Sequence, residues 1–434
     1  MPFIAAFAAT AISAISTAGV AIAASVGTAL GGGALGAAVA NGIVALTGGA
    51  GLFAAVNAWG AVSLLASTAL SPPQVGRGAA GTQVDFQADP QAGVPLVIGR
   101  TGTAGKIVHV MTTGAERKNG HLAYKVVLSA GPIEGVESFR ANDVPISFTG
   151  DTAQTGKYLN QMWLRTDLGA KPQAANFPGG YDPAWTPEWT ADHQLSGLAS
   201  AWWTMYFSPE AYPTGTPPPM WVVLGPAVYD PRADSTYPGG SGAQRADDET
   251  TWSFEGRDNP YLQALTWCLG RRANGRLVHG AGIPAAAIDV AAFVHGANVA
   301  EANGWTVGGE VTSADRKWEV LRALLQAGGG APVFTGGRLT CIVRSPRVSL
   351  KTITGADIVG AARITGTKPR RERFNRIVPQ YRSEAHGWQM VAAGPVEVAD
   401  YIAADGGERR SREVAYALVQ DAAQAAQLAA YDIV

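Results

Sequence analysis

Six histidines are the side chains most able to hold a metal or move a proton near neutral pH: His109, His121, His193, His279, His295 and His386. Their spacing points to neither task. No pair stands at HExxH or another ligand spacing, so each reads as a separate core or surface histidine. Gly99 to Lys106 reads GRTGTAGK and looks at first like a phosphate cradle. It is one residue too long for that loop, and Ile107 stands where a Ser or Thr would hold magnesium. A Gly-rich turn between strands is the better expectation. There is no GxSxG elbow and no strand-associated GxGxxG. Asp247-Asp248-Glu249 could supply paired carboxylates, yet nothing nearby would raise a pKa, and a surface acid cluster is expected. Lys368-Pro369-Arg370-Arg371-Glu372-Arg373 could touch phosphate, but it contains an acid and reads as a solvated face or a subunit contact. Eight of the twelve tryptophans lie between Trp163 and Trp267, and they could build either a sugar platform or a core. Cores and interfaces are the commoner use of such residues. No catalytic, cofactor-binding or metal-binding residue is therefore assigned, and the chain is not expected to be an enzyme.

Composition narrows the class further. Lys and Arg number 33 and Asp and Glu 34, so the net charge of -1 advertises neither nucleic-acid binding nor a solvating tail. Cys268 and Cys341 stand far apart without CxxC spacing, which suits two reduced thiols in a protein assembled in a cytoplasm. The first charged side chain is Arg77. Residues 1–76 form an uncharged Ala/Gly-rich arm whose stretches Ile4 to Leu30 and Gly51 to Leu70 are long enough to cross a bilayer as helices. Gly31-Gly32-Gly33 and Gly48-Gly49 would divide it, and Ser71-Pro72-Pro73 would end it. A cleaved signal is disfavoured, because no positive region precedes the apolar run. Burial in an assembly, membrane insertion and disorder all stay open. An uncharged apolar surface of this size calls for a partner to cover it.

The elements beyond the arm read as α+β. Ser71 to Thr82 is a linker. Val94 to Ile98, Ile107 to Met111 and Leu122 to Leu128 read as strands, and Val136 to Ile146 as a strand pair turning at Asn142-Asp143. Trp202 to Phe207 and Met220 to Leu224 read as strands inside a Pro/Trp-rich stretch. Leu262, Leu265 and Leu269 recur at helical spacing behind an Asn259 cap and Pro260. Ser313 to Ala327 reads as a helix capped by Ser313, with Trp318, Leu321 and Leu325 on one apolar face and Gly328-Gly329-Gly330 at its end. Ala331 to Thr335 and Arg338 to Arg344 would form a hairpin around Gly336-Gly337.

Several of these segments, taken in order, resemble the tail-tip hub proteins of long-tailed phages. That family includes the lambda-type tip attachment protein and the hubs of gene transfer agents. Tyr124 to Ser138 is the most specific segment, with its Gly-Pro-Ile-Glu-Gly turn at Gly131 to Gly135. Pro95 to Gly105, Asn259-Pro260-Tyr261-Leu262, Trp318 to Val343, Phe374 to Tyr381 and the Ala/Gln helix Ala422 to Ala430 follow the family's order. Pro379 departs from a clean strand and suggests an edge.

The resemblance implies a homotrimer of β-rich hub domains around the tail axis, within a virion tail tip. Its implied partners are the distal tail protein, the tape-measure protein and other tip proteins, with host membrane contact through residues 1–76 as a further expectation. Family members often continue further, so a C-terminal portion could be missing or be a separate protein. Four segments are expected: the arm at 1–76, a first β-rich hub domain at 77–150, a Pro/Trp-rich insertion or loop-rich β unit at 151–250, and α+β hub domains at 251–434. Two rival functions are carried forward. One is a membrane-active ejection protein. The other is a cell-wall or carbohydrate-active enzyme, which needs a carboxylate constellation that the sequence does not offer.

Overall fold

The chain from Arg100 to Ala130 carries short apolar runs and then turns at Gly-Pro, and its strands found the fold. The structure is a computed structural model that describes residues 93–113, 120–180, 189–273, 275–345, 351–361, 369 and 372–433. The arm, the linker up to Thr82, and Lys368, Arg370 and Arg371 of the basic run lie outside the described residues.

The strands in chain order are β1 Pro95–Ile98, β2 Arg100–Thr103, β3 Lys106–Thr113, β4 His121–Ala130, β5 Ile133–Ala141, β6 Val144–Ile146, β7 Phe148–Thr149, β8 Thr152–Ala153, β9 Met162–Leu168 and β10 Leu198–Tyr206. There follow β11 Pro219–Pro226, β12 Arg271–Ala273, β13 Arg276–His279, β14 Gly309–Thr312, β15 Gly330–Thr335, β16 Arg338–Val343, β17 Arg376–Ser383, β18 Gln389–Ala392, β19 Val396–Glu397 and β20 Ser411–Ala415. The helices are α1 Pro260–Leu269, α2 Val290–Asn303, α3 Lys317–Ala327, α4 Ala399–Ala404 and α5 Ala422–Ile433. The described part is thus β-rich with few helices.

Two sheets carry the first half. One runs β3-β4-β10-β9-β8-β7 and the other β2-β11-β5-β6. Both draw strands from either side of residue 150, since β10 pairs with β4 and β11 with β5. The Pro/Trp-rich stretch thus supplies inner strands of both sheets. One apolar core joins them, with Val126, Leu128, Trp203 and Met205 meeting Ile133, Phe139, Trp221 and Val223. Phe139 packs 5.1 Å from Trp221 and 5.7 Å from Trp203, tilted in both cases, an arrangement aromatic rings favour. Trp202 and Trp203 are both fully buried because successive side chains of a strand leave opposite faces. Trp203 enters the core between the sheets, and Trp202 joins Trp189, Ala123 and Met111 on the outer face.

The second half is built on α1, whose residues from Pro260 to Cys268 are all buried. α1, α2, α3 and α5 share a core with β1, β14 and the hairpin β15–β16. β1 belongs to both halves: Leu96 and Ile98 enter this helical core, and Val97 enters the sandwich.

Candidate functional site

The most specific sequence segment, around Gly131, marks a corner. β4 lies in the six-stranded sheet and β5 in the four-stranded one, so the chain changes sheets between Ala130 and Ile133. Gly131 adopts φ of 101°, a region that favours glycine, and its N–H donates to the Gly197 carbonyl at 2.9 Å. A Cβ there would meet nothing within 4 Å, so the requirement is the backbone angle and not space. Ile133 to Gly135, expected in the turn, already pair as β5 with Leu224 to Pro226 of β11. The turn itself is Gly131-Pro132.

Next in order is the start of α1. The Asn259 side chain accepts from the N–H groups of Tyr261 at 3.0 Å and Leu262 at 3.3 Å, as its cap position predicts. Its amide also donates to the Ala297 carbonyl of α2 at 3.0 Å. One buried side chain therefore starts one helix and ties it to another. The α3 unit differs from expectation. Ser313 does not cap it: its hydroxyl accepts from the Val94 N–H, Asp315 accepts from the Thr312 N–H, and the helix starts at Lys317. Leu321 and Leu325 are buried as expected, but Trp318 is 41% exposed and stacks on Phe334 of β15 at 5.7 Å.

The strand beginning at Arg376 corrects the edge expectation. β17 pairs with β18 and β19 along one side and with β20, in parallel, along the other. Pro379 accepts from the Ala393 N–H at 2.8 Å. Its ring nitrogen faces that same side, opposite Ala393 just past the end of β18, so the one ladder bond given up is the return bond to the Ala393 carbonyl. β19 meets Arg376 and Ile377, and β18 meets Gln380 to Ser383.

Charges stitch the halves together. Arg100 of β2 donates to Glu137 of β5 at 2.5 Å and to Glu384, just past β17, at 2.7 Å. Those hydrogen bonds, Glu384's first, hold the Arg100 guanidinium well above its ordinary pKa. The Glu384 carboxyl is lowered in return, chiefly by Arg100. Inside, Thr103 of β2 donates to Glu310 of β14 at 2.5 Å, and burial raises that carboxyl above the usual range. Lys125, 2% exposed at its side chain, pairs with Asp167 at 2.8 Å and lies 5.3 Å from the Trp202 ring. Burial lowers its pKa and Asp167 opposes the shift. Sequence reasoning passed over this pair. The signal was the lysine in the run Tyr124-Lys125-Val126-Val127-Leu128, on the alternate positions that β10 buries.

The residues singled out for chemistry do not converge. His109 and His121 sit against aromatic rings, His193 accepts from the Thr190 N–H, His279 is buried, His295 meets Ser345 and His386 meets Ser383. Among the described residues, no group of His, Cys, Asp and Glu could hold a metal. Cys268 and Cys341 are both buried. Gly99 to Lys106 is no phosphate cradle: Arg100 to Thr103 form β2, Gly105 turns at φ of 65°, and Lys106 opens β3. Asp248 accepts from the Thr250 N–H and Glu249 from the Arg272 N–H, so both serve backbone. Asp247 lines a cleft of about 290 Å³ between the 229–247 loop and helices α1 and α2. Within it Asp234 accepts from Thr236, Tyr229 and Arg245. Burial works to raise the Asp234 pKa, but these donors, Thr236 foremost, outweigh it and lower the pKa. Six of the eight clustered tryptophans are buried in cores: Trp189, Trp202, Trp203, Trp221, Trp252 and Trp267. They build no exposed sugar platform. Arg373 of the basic run pairs with Asp405 at 3.5 Å.

Several large apolar side chains stand exposed on the described surface. Phe334 is 63% exposed and Ile342 50%, and Ile353, Ile358 and Val359 stand out on the segment 351–361. No helix among the described residues is long and apolar enough to cross a membrane.

Neither protein-family models nor curated proteins give a match to this chain. Among solved structures, a chain from "Virion of native gene transfer agent (GTA) particle" is similar at a TM-score of 0.47 and 16% identity, covering 88% of this chain and 84% of that one.

Proposed function

We propose that this protein is a structural component of a phage-type virion, the hub that closes the tail tube at its tip and organises other tip proteins for attachment and genome ejection. The observation that carries the reading is the order of the hub-like segments along the chain and their place in the fold. The Gly131 corner, the Asn259-capped helix, the α3 helix with its hairpin, β17 and α5 are all framework, and none is a reactive loop. The histidines and carboxylates singled out for chemistry are dispersed and do not converge, which favours a scaffold over an enzyme. In this reading the chain assembles as a homotrimer with the distal tail protein, the tape-measure protein and other tip proteins. The copy number in purified tails, measured by quantitative mass spectrometry, tests it. Three copies per tail are expected, and a single copy contradicts the trimer.

The uncharged arm favours a second, compatible role in which residues 1–76 seek a membrane during ejection. Liposome flotation of the chain with and without residues 1–76 tests this role. Equal recovery of the two forms would remove it.

A further inference from the structure

Opposite Arg271 in the hairpin β12–β13 stands His279, 3% exposed, and neither of its ring nitrogens meets a protein partner. A buried polar atom without a partner is costly and uncommon in folded proteins. The ring borders a narrow pocket of about 10 Å³ that Gln263, Thr266 and Arg271 also line, with Leu96 and Ile98 of β1 as its apolar wall. We propose that this pocket holds one tightly bound water molecule, which bridges His279 to the polar groups of α1 and links the helix, the hairpin and β1.

Size, chemistry and charge agree. The space matches that of one water by the usual measure, and a water needs two or more polar partners to stay. A neutral histidine offers one donor and one acceptor on opposite sides of its ring, and a water can answer either one. The Thr266 hydroxyl accepts from the Tyr229 N–H at 3.1 Å and keeps its own proton to donate. Gln263 uses its amide nitrogen on the Arg257 carbonyl. The Arg271 guanidinium is held by the Ala227 carbonyl at 2.5 Å and the Trp252 ring at 5.3 Å, and Glu249 is the carboxylate that acts on its charge. The guanidinium orients the water oxygen toward itself. Burial, and then the Arg271 charge, push the His279 pKa down to about 4, so the ring stays neutral and keeps its acceptor.

A high-resolution crystal structure of the protein, grown with bromide as the only halide, tests the site. The expected result is one density peak within roughly 2.7–3.2 Å of a His279 ring nitrogen, with no bromide anomalous signal. An empty pocket overturns the proposal, and so does a bromide signal there, which would assign the pocket to anions. In solution, water-oxygen relaxation dispersion of His279→Leu should show one long-lived water fewer than the parent. An unchanged number overturns the proposal as well.

Discussion

Single side chains in this protein carry structural duties that their types advertise only in part. Asn259 was legible as a cap, because Asn before Pro-x-Leu opens helices. Its second bond, to the Ala297 carbonyl, was not, since nothing local says that α2 packs there. Asn259→Ala should cost about 1–2 kcal/mol in chemical denaturation, and more if the Ala297 carbonyl is left unpaired. Asn259→Asp keeps the cap, loses the donor and sets a second carboxylate beside Glu301, so it should recover only part of that loss. His279 gives a pH signature. Its folded pKa of about 4 lies below the unfolded value near 6.5, so the unfolded chain binds the proton first. Stability from this group is complete above about pH 6.5, falls as pH drops toward 4 and then levels off, a span of roughly 3 kcal/mol. Glu310 works in the opposite direction, since its raised carboxyl favours the fold as pH falls. The comparison must therefore be between parent and His279→Leu. The stability curve of the variant should be flatter between pH 4 and 6.5, and an identical slope would refute the assignment.

At the scale of elements, strands with alternating patterns and glycine or asparagine turns could be read directly. β4, the β5–β6 turn at Asn142-Asp143 and the β15–β16 hairpin all form where expected, and positive φ at Asn142, Asp143, Gly336 and Gly337 gives the reason. α2 was missed. Its Ala- and Asn-rich residues show little amphipathic contrast, and Gly296 looks like a breaker. Packing explains that glycine: a Cβ there would sit 2.3 Å from the Tyr261 ring, so Gly296 permits the close approach of α1 and α2. Gly296→Ala should therefore destabilise the fold, although alanine favours helices in isolation. Thermal unfolding reads this directly, and a raised melting temperature would contradict it. Ser313 misled for the converse reason, since its hydroxyl was recruited by the Val94 N–H just ahead of β1 instead of a helix start. Pro379→Ala should be nearly silent, costing no more than about 1 kcal/mol, because the lost rigidity of proline is offset by an N–H able to answer the Ala393 carbonyl.

For the whole molecule, the two sheets, the helical core and the charge links at Arg100 make a scaffold from residues far apart in sequence. That is why the boundaries at 150 and 250 were hard to place from composition: β10 and β11 return to β4 and β5 across long Pro-rich loops. The exposed Phe334, Ile342, Ile353, Ile358 and Val359 suit a chain that works inside an assembly. In the proposed function this assembly is a tail tip with this chain as its hub. A density map of intact particles tests it most directly. Three copies of the β4–β5 sandwich arranged around the tail axis at the tip are expected. A single copy there, or its density anywhere other than the tip, would contradict it.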